Sequence, residues 1–279
     1  MRCHPWVTLT LCMLAVSAAH ANEAFPEPSF AVNAGVESFR WEEFSGGQRL
    51  LSETGPRLTV GFMLDRLLQD DQINPYAVEA RLYLGVVDYD GQTQSGVSAQ
   101  TDVDYFGFNA EVLGGLRPKT KNGWQMDLLG GLGVDTWTRE LQNGVTANGS
   151  VALGYREDYF IIYGKLGPGF LMNSGAGRGY FQFGIKYPLF TYERVYLSSI
   201  GYDNDVELAP GKRLSGFAKW QMNWGRAADK PRFGVSVYYD SFRFSASASK
   251  TVTAAGAAFS VRQPESRMDV LGARLEYYF

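Results

Sequence analysis

The final twelve residues, 268–279, alternate between apolar and polar or small side chains with a period of two. One parity is apolar and ends in aromatic rings, with Leu271, Ala273, Leu275, Tyr277 and Phe279. The other parity carries Arg274 and Glu276 among small and aromatic residues. This is the side-chain period of a β-strand, so the segment has one apolar face and one face bearing an ion pair. Either a second layer of protein or lipid must cover such an apolar face.

The same alternation recurs along the chain in twelve segments. They are 30–43, 56–65, 76–90, 104–116, 124–139, 145–155, 159–171, 180–187, 195–206, 214–224, 233–240 and 268–279. The first five keep a continuous polar face rich in small residues, which is typical of the interior of a closed barrel. We predict an all-β fold, a single closed antiparallel transmembrane β-barrel of twelve strands. Merging the two weak middle pairs of segments gives ten strands, the second choice.

One irregularity interrupts the pattern near the end of the eleventh segment. The apolar parity shifts at Phe242 and Phe244. An extra residue in one strand would produce such a shift, so the sequence predicts a β-bulge here, or a strand that has already left the membrane.

The N-terminus has the organisation of a secretory signal peptide. Arg2 precedes an uncharged, mostly apolar run at 6–18, and Ala19-His20-Ala21 forms a small-residue cleavage site. We therefore predict a signal peptide at 1–21 and one barrel domain at 22–279. No apolar stretch of eighteen residues follows the signal peptide, so the sequence contains no candidate transmembrane helix.

The terminal strand, together with the signal peptide, resembles the same features of bacterial outer-membrane β-barrel proteins, whose last strand typically ends in Phe or Trp. The resemblance implies secretion to the periplasm and insertion into the outer membrane, with lipid around the barrel. It also implies that Tyr277 and Phe279 belong to the signal that the barrel-assembly machinery recognises. An even number of strands places both termini on the periplasmic side. We expect a monomer.

Removal of the signal peptide limits the available chemistry. Both cysteines (Cys3, Cys12) and both histidines (His4, His20) lie in it. The mature chain therefore has no thiolate, imidazole base or soft-metal ligand, and we expect no cofactor or metal. Outer-membrane barrel enzymes use a histidine as general base, so we expect no enzyme. The turn Asp203-Asn204-Asp205 is better interpreted as solvated than as a cation site.

Nucleic-acid binding is not expected either. Lys and Arg number 26 against 29 Asp and Glu, so the chain lacks the basic character of a nucleic-acid-binding protein.

The remaining candidate functional residues are charges on the inward parity. They are Glu37, Asp65, Glu79, Arg81, Glu111, Asp127, Asp135, Lys165, Lys186, Lys219, Arg274 and Glu276. They could line a water-filled lumen that passes small solutes, or form a salt-bridged network that only holds the barrel together. A twelve-stranded barrel lies between plugged and open widths. The sequence slightly favours a passive, porin-like channel over a non-conducting structural or surface-interaction barrel.

Overall fold

The computed structural model describes residues 29–69, 74–93, 96–118, 125–174, 177–224 and 233–279. The strands are, in chain order, β1 (Ser29–Ser45), β2 (Gln48–Asp65), β3 (Tyr76–Gln92), β4 (Ser98–Leu116), β5 (Gln125–Leu141), β6 (Gly144–Thr146), β7 (Val151–Ala152), β8 (Arg156–Ser174), β9 (Gly177–Val195), β10 (Val206–Leu208), β11 (Gly211–Arg213), β12 (Ser215–Trp224), β13 (Phe233–Ser245), β14 (Lys250–Ala254), β15 (Ala257–Val261) and β16 (Glu265–Tyr278). A 3₁₀ helix spans Leu197–Ile200. In these described residues, no helix is long and apolar enough to cross a membrane.

Ten of the described strands close a barrel. They follow one another as β1, β2, β3, β4, β5, β8, β9, β12, β13 and β16, each antiparallel to its neighbours. The last strand pairs with the first, from Ala31 opposite Tyr278 to Phe44 opposite Glu265. The prediction of a closed antiparallel barrel is confirmed, with ten strands rather than twelve. The first and last described residues, Ser29 and Phe279, lie at one end, called proximal below; the opposite end is called distal.

The two segments that inflated the strand count, 145–155 and 195–206, both fold back on themselves. Gly149 and Gly201 adopt positive φ, 83° and 99°, which glycine tolerates at no steric cost. In the first segment β7 pairs back on β6, and β6 pairs with the distal end of β4. In the second, β10 pairs back on β9, with Val206 opposite Val195. Neither segment spans the barrel, because a positive-φ glycine interrupts its alternation.

Strand β9 is longer than predicted because it continues past Pro188. The register between β8 and β9 shifts at Ile162 and Tyr163, opposite this proline. Proline cannot donate a ladder hydrogen bond, and a bulge is one of the few places in a sheet that accommodates it. The predicted end of this segment at residue 187 is thus only a local irregularity, at Pro188, in a continuous strand.

Strand β13 shows no bulge at Phe242 and Phe244, contrary to one of the two predicted alternatives. Its pairing with β16 is regular from Phe233 to Phe244. Both rings point inward and are buried. The apparent parity shift therefore reflects a change in the chemistry of the interior, which becomes aromatic toward the distal end.

The outer wall has an apolar belt on its proximal part. Leu275, for example, is 70% exposed. Exposed apolar residues on the other barrel strands include Val36, Leu58, Leu84, Phe106, Leu132, Ile162, Phe183, Trp224 and Val237. Beyond the belt the outward residues become polar, among them Arg40, Asp88, Asp104, Glu140, Arg194, Arg243 and Asp269. About 9–11 tilted residues cross a bilayer, so strands of 17–19 residues project beyond the belt.

The distal connections pack into a small cluster of their own. Val195, Leu197, Val206 and Leu208 bury their side chains against Val252 of β14. The strands β14 and β15 form a separate hairpin on this cluster. The distal end therefore carries ordered structure above the barrel wall.

Candidate functional site: the barrel interior

The interior side chains form three layers. The proximal layer contains Asp65, Arg117, Asp127, Tyr180, Gln221, Glu276 and Tyr278. The middle layer contains Glu37, Arg57, Glu79, Arg81, Glu111, Asp135, Lys165, Lys186, Lys219, Asp240 and Arg274. The distal layer contains Glu43, Glu53, Arg139, Glu157 and Glu193 with surrounding aromatic rings. Strand alternation places them inside the barrel, except for Arg117, which follows the end of β4 and reaches Asp127 from there.

Glu37 is one centre of the middle layer. The guanidinium of Arg57 on the neighbouring strand donates to it at 2.7 Å, and the hydroxyl of Tyr238 donates at 2.5 Å from across the interior. A second guanidinium, Arg81, lies 3.5 Å away. Arg57 is also held between the rings of Phe39 and Tyr83, each 4.2 Å from its Cζ atom. Carboxylate and aromatic faces together compensate for the loss of water around this cation.

Asp240 is a second centre. Lys186 Nζ donates to both carboxylate oxygens at 2.9 Å, and Arg81 lies 3.9 Å from one of them. Lys186 Nζ also lies 3.5 Å from the centre of the Phe242 ring. Because Arg81 reaches both Glu37 and Asp240, the two centres form one connected network.

The other middle-layer charges are paired as well. Glu79 accepts from Lys219 at 2.9 Å and from Arg274, which comes from the terminal strand. Lys165 and Glu111 form an ion pair at 2.6 Å. Each of these pairs joins strands that are not adjacent, so the network braces the barrel across its interior.

Asp135 has neutral hydrogen-bond partners. The Tyr83 hydroxyl donates to it at 2.7 Å, and the Asn109 amide donates at 3.1 Å. Asn109 in turn donates to the Tyr163 hydroxyl at 2.9 Å. Phenol and amide groups therefore complete the polar network between the charged pairs.

The proximal layer is anchored by Asp127. Arg117 Nε lies 2.7 Å from one oxygen of this carboxylate, and the Tyr180 hydroxyl donates to the other at 2.7 Å. Nearby, Tyr278 donates to Glu276 at 2.7 Å. Gln221 donates to Asp65 at 2.9 Å. Side chains thus fill this end of the described interior.

The distal layer has a different composition. Among the described residues, a single guanidinium, that of Arg139, lies among four buried carboxylates. It donates to Glu53, at 2.8 Å from Nε, and to Glu157. Tyr105 and Tyr159 donate to the same two carboxylates. Trp41, Trp137, Tyr159, Phe242 and Phe244 pack around these groups.

Inward glycines leave room for tyrosine rings that cross from the neighbouring strand. Tyr238 lies opposite Gly272, and a Cβ added to that glycine would overlap its ring. The same arrangement joins Tyr83 to Gly107 and Tyr163 to Gly133. The small residues that alternate with charges on the inner faces therefore accommodate rings.

A small, partly open cavity lies between these groups. It measures about 40 Å³ and is lined by middle-layer residues that include Glu79, Arg81, Lys165, Lys219 and Asp240. One water molecule needs roughly 10–15 Å³ measured in this way, so the cavity has room for a few waters. Within the described residues no group of acidic side chains is arranged to hold a metal ion.

All twelve charges predicted to face inward lie inside the barrel. Those brought into the middle network are Glu37, Glu79, Arg81, Glu111, Asp135, Lys165, Lys186, Lys219 and Arg274; Asp65, Asp127 and Glu276 lie proximally. Tyr277 and Phe279 face outward and are exposed, and their role in assembly stays a prediction. The signal peptide and residues 22–28 lie outside the described residues.

Several charged residues of the interior were not among the predicted inward charges. Arg57 and Glu53 share the inward parity of Asp65 on β2, and Arg139 shares that of Asp135 on β5. Asp240 shares the parity of Tyr238 on β13. Arg57, Arg139 and Asp240 lie within the predicted segments, so the alternation there already places them inward, and extending segment 56–65 toward its N-terminus would have found Glu53.

The comparisons with known proteins agree with this architecture. No family model and no curated protein sequence matches the chain. The structure is similar to the outer-membrane protease OmpT from Escherichia coli, with a TM-score of 0.52 and 10% identity over 92% of this chain and 99% of that one.

The chain has the fold of an outer-membrane β-barrel protein. The β-domain of the Bordetella autotransporter BrkA, at TM-score 0.41 and 12% identity, covers 91% of this chain and all of that one. The translocator domain of NalP from Neisseria meningitidis, at 0.40 and 11%, covers 92% and 90%. The fold and the apolar belt agree with the outer-membrane localisation expected from the sequence.

Proposed function

We propose that the chain is a closed, non-conducting outer-membrane barrel that acts through the ordered surface at its distal end. The observation that supports this most strongly is that salt bridges of the middle layer cross the interior, where a partly open cavity between them measures about 40 Å³. A solute-conducting lumen would have to displace buried ion pairs, and leaving one partner of such a pair alone costs about 3–5 kcal/mol.

The passive channel favoured by the sequence is the competing proposal. It rests on the inward charges alone, and these are engaged with one another across the barrel. The distal layer, with rings of Trp41 and Trp137, further narrows the route. We also propose no enzymatic role, since the mature chain lacks the histidine that the expected catalytic arrangements require.

Planar-bilayer recording tests the proposal. The purified mature protein should give no stepwise current in concentrated salt. A positive control is the triple variant Arg81→Ala, Lys186→Ala, Asp240→Ala, which removes both the cations and the carboxylate of the Asp240 centre. Heat-dependent gel mobility verifies that the variant is folded, and the folded variant should conduct. Wild-type steps as large as those of the variant would overturn the proposal in favour of the channel.

The distal surface is tested separately by removal of the β14–β15 hairpin. Residues 251–260, which include Val252 of the distal cluster, would be replaced by a short Gly-Ser linker. The shortened barrel should insert normally but lose binding to intact cells or matrix proteins to which the wild type adheres. Absence of any wild-type binding, or unchanged binding by the shortened barrel, would contradict a role through this surface.

A further inference from the structure

The outer wall carries a groove lined by arginines just beyond the apolar belt. It lies on β1, β13 and β16 and consists of two adjoining depressions of about 360 and 430 Å³. Arg243 lines both depressions. The remaining charged lining residues are Arg40, Arg213, Arg267, Glu265 and Asp269. We call this feature the arginine groove.

The arginine groove retains positive charge after its internal pairs are counted. Arg243 pairs with Asp269 at 2.6 Å, and Arg213 pairs with Glu265. Arg267 pairs with Glu42, which is itself buried, and stacks over the Phe44 ring at 4.7 Å. With Glu42 included, four arginines stand against three carboxylates, so Arg40 leaves the groove with one net positive charge. A paired arginine also keeps spare N–H donors, because its guanidinium has five.

The position of the arginine groove relative to the belt is informative. On β16 the outward residues change from Leu271 to Asp269 and Arg267, and on β1 they change from Val36 to Ser38 and Arg40. Arg40 is paired with Asp269 in the ladder, so these changes occur at one level on adjacent strands. Leu214, Leu271 and Tyr239 border the groove and are exposed. Apolar surface lies below the arginines and polar surface above.

The face of the barrel formed by β3 and β4 carries the opposite charge. On β3 and β4 the corresponding outward positions carry four exposed aspartates, Asp88, Asp90, Asp102 and Asp104, with Asp88 directly opposite Asp102. An anion approaching the distal rim is therefore attracted to the arginine groove and repelled from the β3–β4 face.

From this geometry we propose that the arginine groove binds a phosphate-bearing lipid of the surrounding leaflet. The phosphates contact Arg40, Arg243 and Arg267, and the acyl chains lie along Leu271 and the belt below. Guanidinium groups match phosphate geometry with paired hydrogen bonds, and the apolar border suits a lipid better than a free anion. The proposal requires that the distal end of the barrel faces the cell exterior. It does not depend on whether the lumen conducts.

Native mass spectrometry of the folded protein in neutral detergent tests this site. The probes are lipid A with two phosphates, the same lipid after phosphate removal, and inorganic pyrophosphate. The wild type should retain the phosphorylated lipid about tenfold better than the dephosphorylated lipid, since charge-assisted contacts are worth about 1.5 kcal/mol or more each. Pyrophosphate alone should not be retained. Equal retention of both lipids, or retention of pyrophosphate like the phosphorylated lipid, would overturn the proposal.

Two variants locate the binding. The triple variant Arg40→Gln, Arg243→Gln, Arg267→Gln should abolish the preference for the phosphorylated lipid. The matched control is the double variant Arg156→Gln, Arg194→Gln, which removes exposed, carboxylate-paired arginines elsewhere on the rim. Its lipid retention should stay within twofold of wild type. If the triple variant does not fold, Arg40→Gln alone serves, because Arg40 is exposed at the end of the groove; it should lower retention about threefold. Unchanged retention in the groove variants, or equal loss in the control, would contradict the assignment.

Discussion

The middle and distal layers of the interior satisfy buried charge in opposite ways. In the middle layer acidic and basic groups alternate across the barrel, and both Glu37 and Asp240 have more than one cation within 4 Å. In the distal layer the guanidinium of Arg139 is shared by several carboxylates, and aromatic hydroxyls supply the remaining hydrogen bonds. A carboxylate of the middle layer that loses one cation therefore keeps another, whereas the distal carboxylates depend on the single guanidinium of Arg139.

The aromatic rings differ in the same two layers. In the middle layer Tyr238 lies across an inward glycine and donates to a carboxylate. In the distal layer the rings stack on one another, as with Trp137 and Tyr159, whose centroids are 4.7 Å apart at an interplanar angle of 10°. A tyrosine in the middle layer therefore depends on a small neighbour, and a distal ring depends on other rings.

The largest effect is expected for Arg139→Met. This change leaves Glu53 and Glu157 buried without their guanidinium, so the free energy of unfolding from lipid vesicles should fall by about 3–5 kcal/mol. The measurement is a denaturant titration followed by tryptophan fluorescence. The matched control, Arg156→Met on the outer face of β8, removes an exposed pair with Asp158 and should cost less than about 1 kcal/mol. Equal losses in the two variants would contradict the distal half of the comparison.

A smaller effect is expected for Lys186→Met in the middle layer. Asp240 loses two hydrogen bonds but keeps Arg81 within 3.9 Å, so the expected cost is about 2–3 kcal/mol. The same unfolding titration measures it. Adding Arg81→Met should then cost more than it does in the wild-type background, because Asp240 would lose its second cation. Strict additivity of the two changes would show that the middle layer is not redundant.

Next in size is Gly272→Ala. The added methyl group would overlap the Tyr238 ring and disturb its hydrogen bond to Glu37, and the expected loss of stability is about 1–2 kcal/mol. Gly114→Ala is the matched control, since a Cβ at Gly114 meets nothing within 4 Å. Urea unfolding of both variants distinguishes them. A cost at Gly114 equal to that at Gly272 would remove the role assigned to the ring and its glycine.

The smallest effect concerns a carboxylate on the distal surface, outside both layers. Burial opposes ionisation of Asp205, but hydrogen bonds from Ser198 and Arg194 outweigh it and lower the pKa of Asp205 below its ordinary value. A lowered folded-state pKa stabilises the loop above the ordinary aspartate pKa of about 3.9, and this stabilisation is lost as the pH falls through the folded value.

The amide resonance of Ser198, followed by NMR in micelles, should therefore titrate with a midpoint below about 3.9. The variant Asp205→Asn should remove this titration. A midpoint at or above the ordinary value would contradict the hydrogen-bonded loop.

Much of the fold follows from the alternation in the sequence, because lipid outside and charge inside impose the period of two on every spanning strand. The strand count did not follow. Segments 145–155 and 195–206 alternate weakly, and each turns back at a positive-φ glycine, Gly149 and Gly201, the second after the 3₁₀ helix Leu197–Ile200. Similarly, Phe242 and Phe244 are apolar on the inward parity, which a rule of polar interiors interprets as a shift.

The inward positions of the candidate residues were also predictable, but their partners were not. Lys219 and Glu79 are 140 residues apart, and Arg274 and Glu79 are 195 apart. Alternation places each side chain inside without fixing which strands face each other across the interior. Closure of the barrel with ten strands decides those pairs, and with them whether the interior is filled.

The most direct test of a filled interior is the labelling of a single cysteine at Ser236. This residue is fully buried on β13, opposite Gln221 and Arg274, and the mature chain has no cysteine of its own. In vesicles, Ser236→Cys should react with a small charged methanethiosulfonate more slowly than Ser260→Cys on the exposed strand β15. The expected difference in rate is on the order of a hundredfold or more, because the reagent reaches a buried site only when the structure opens locally. Comparable rates at the two positions would mean that water and solutes reach the middle of the barrel, and the closed interior would be refuted.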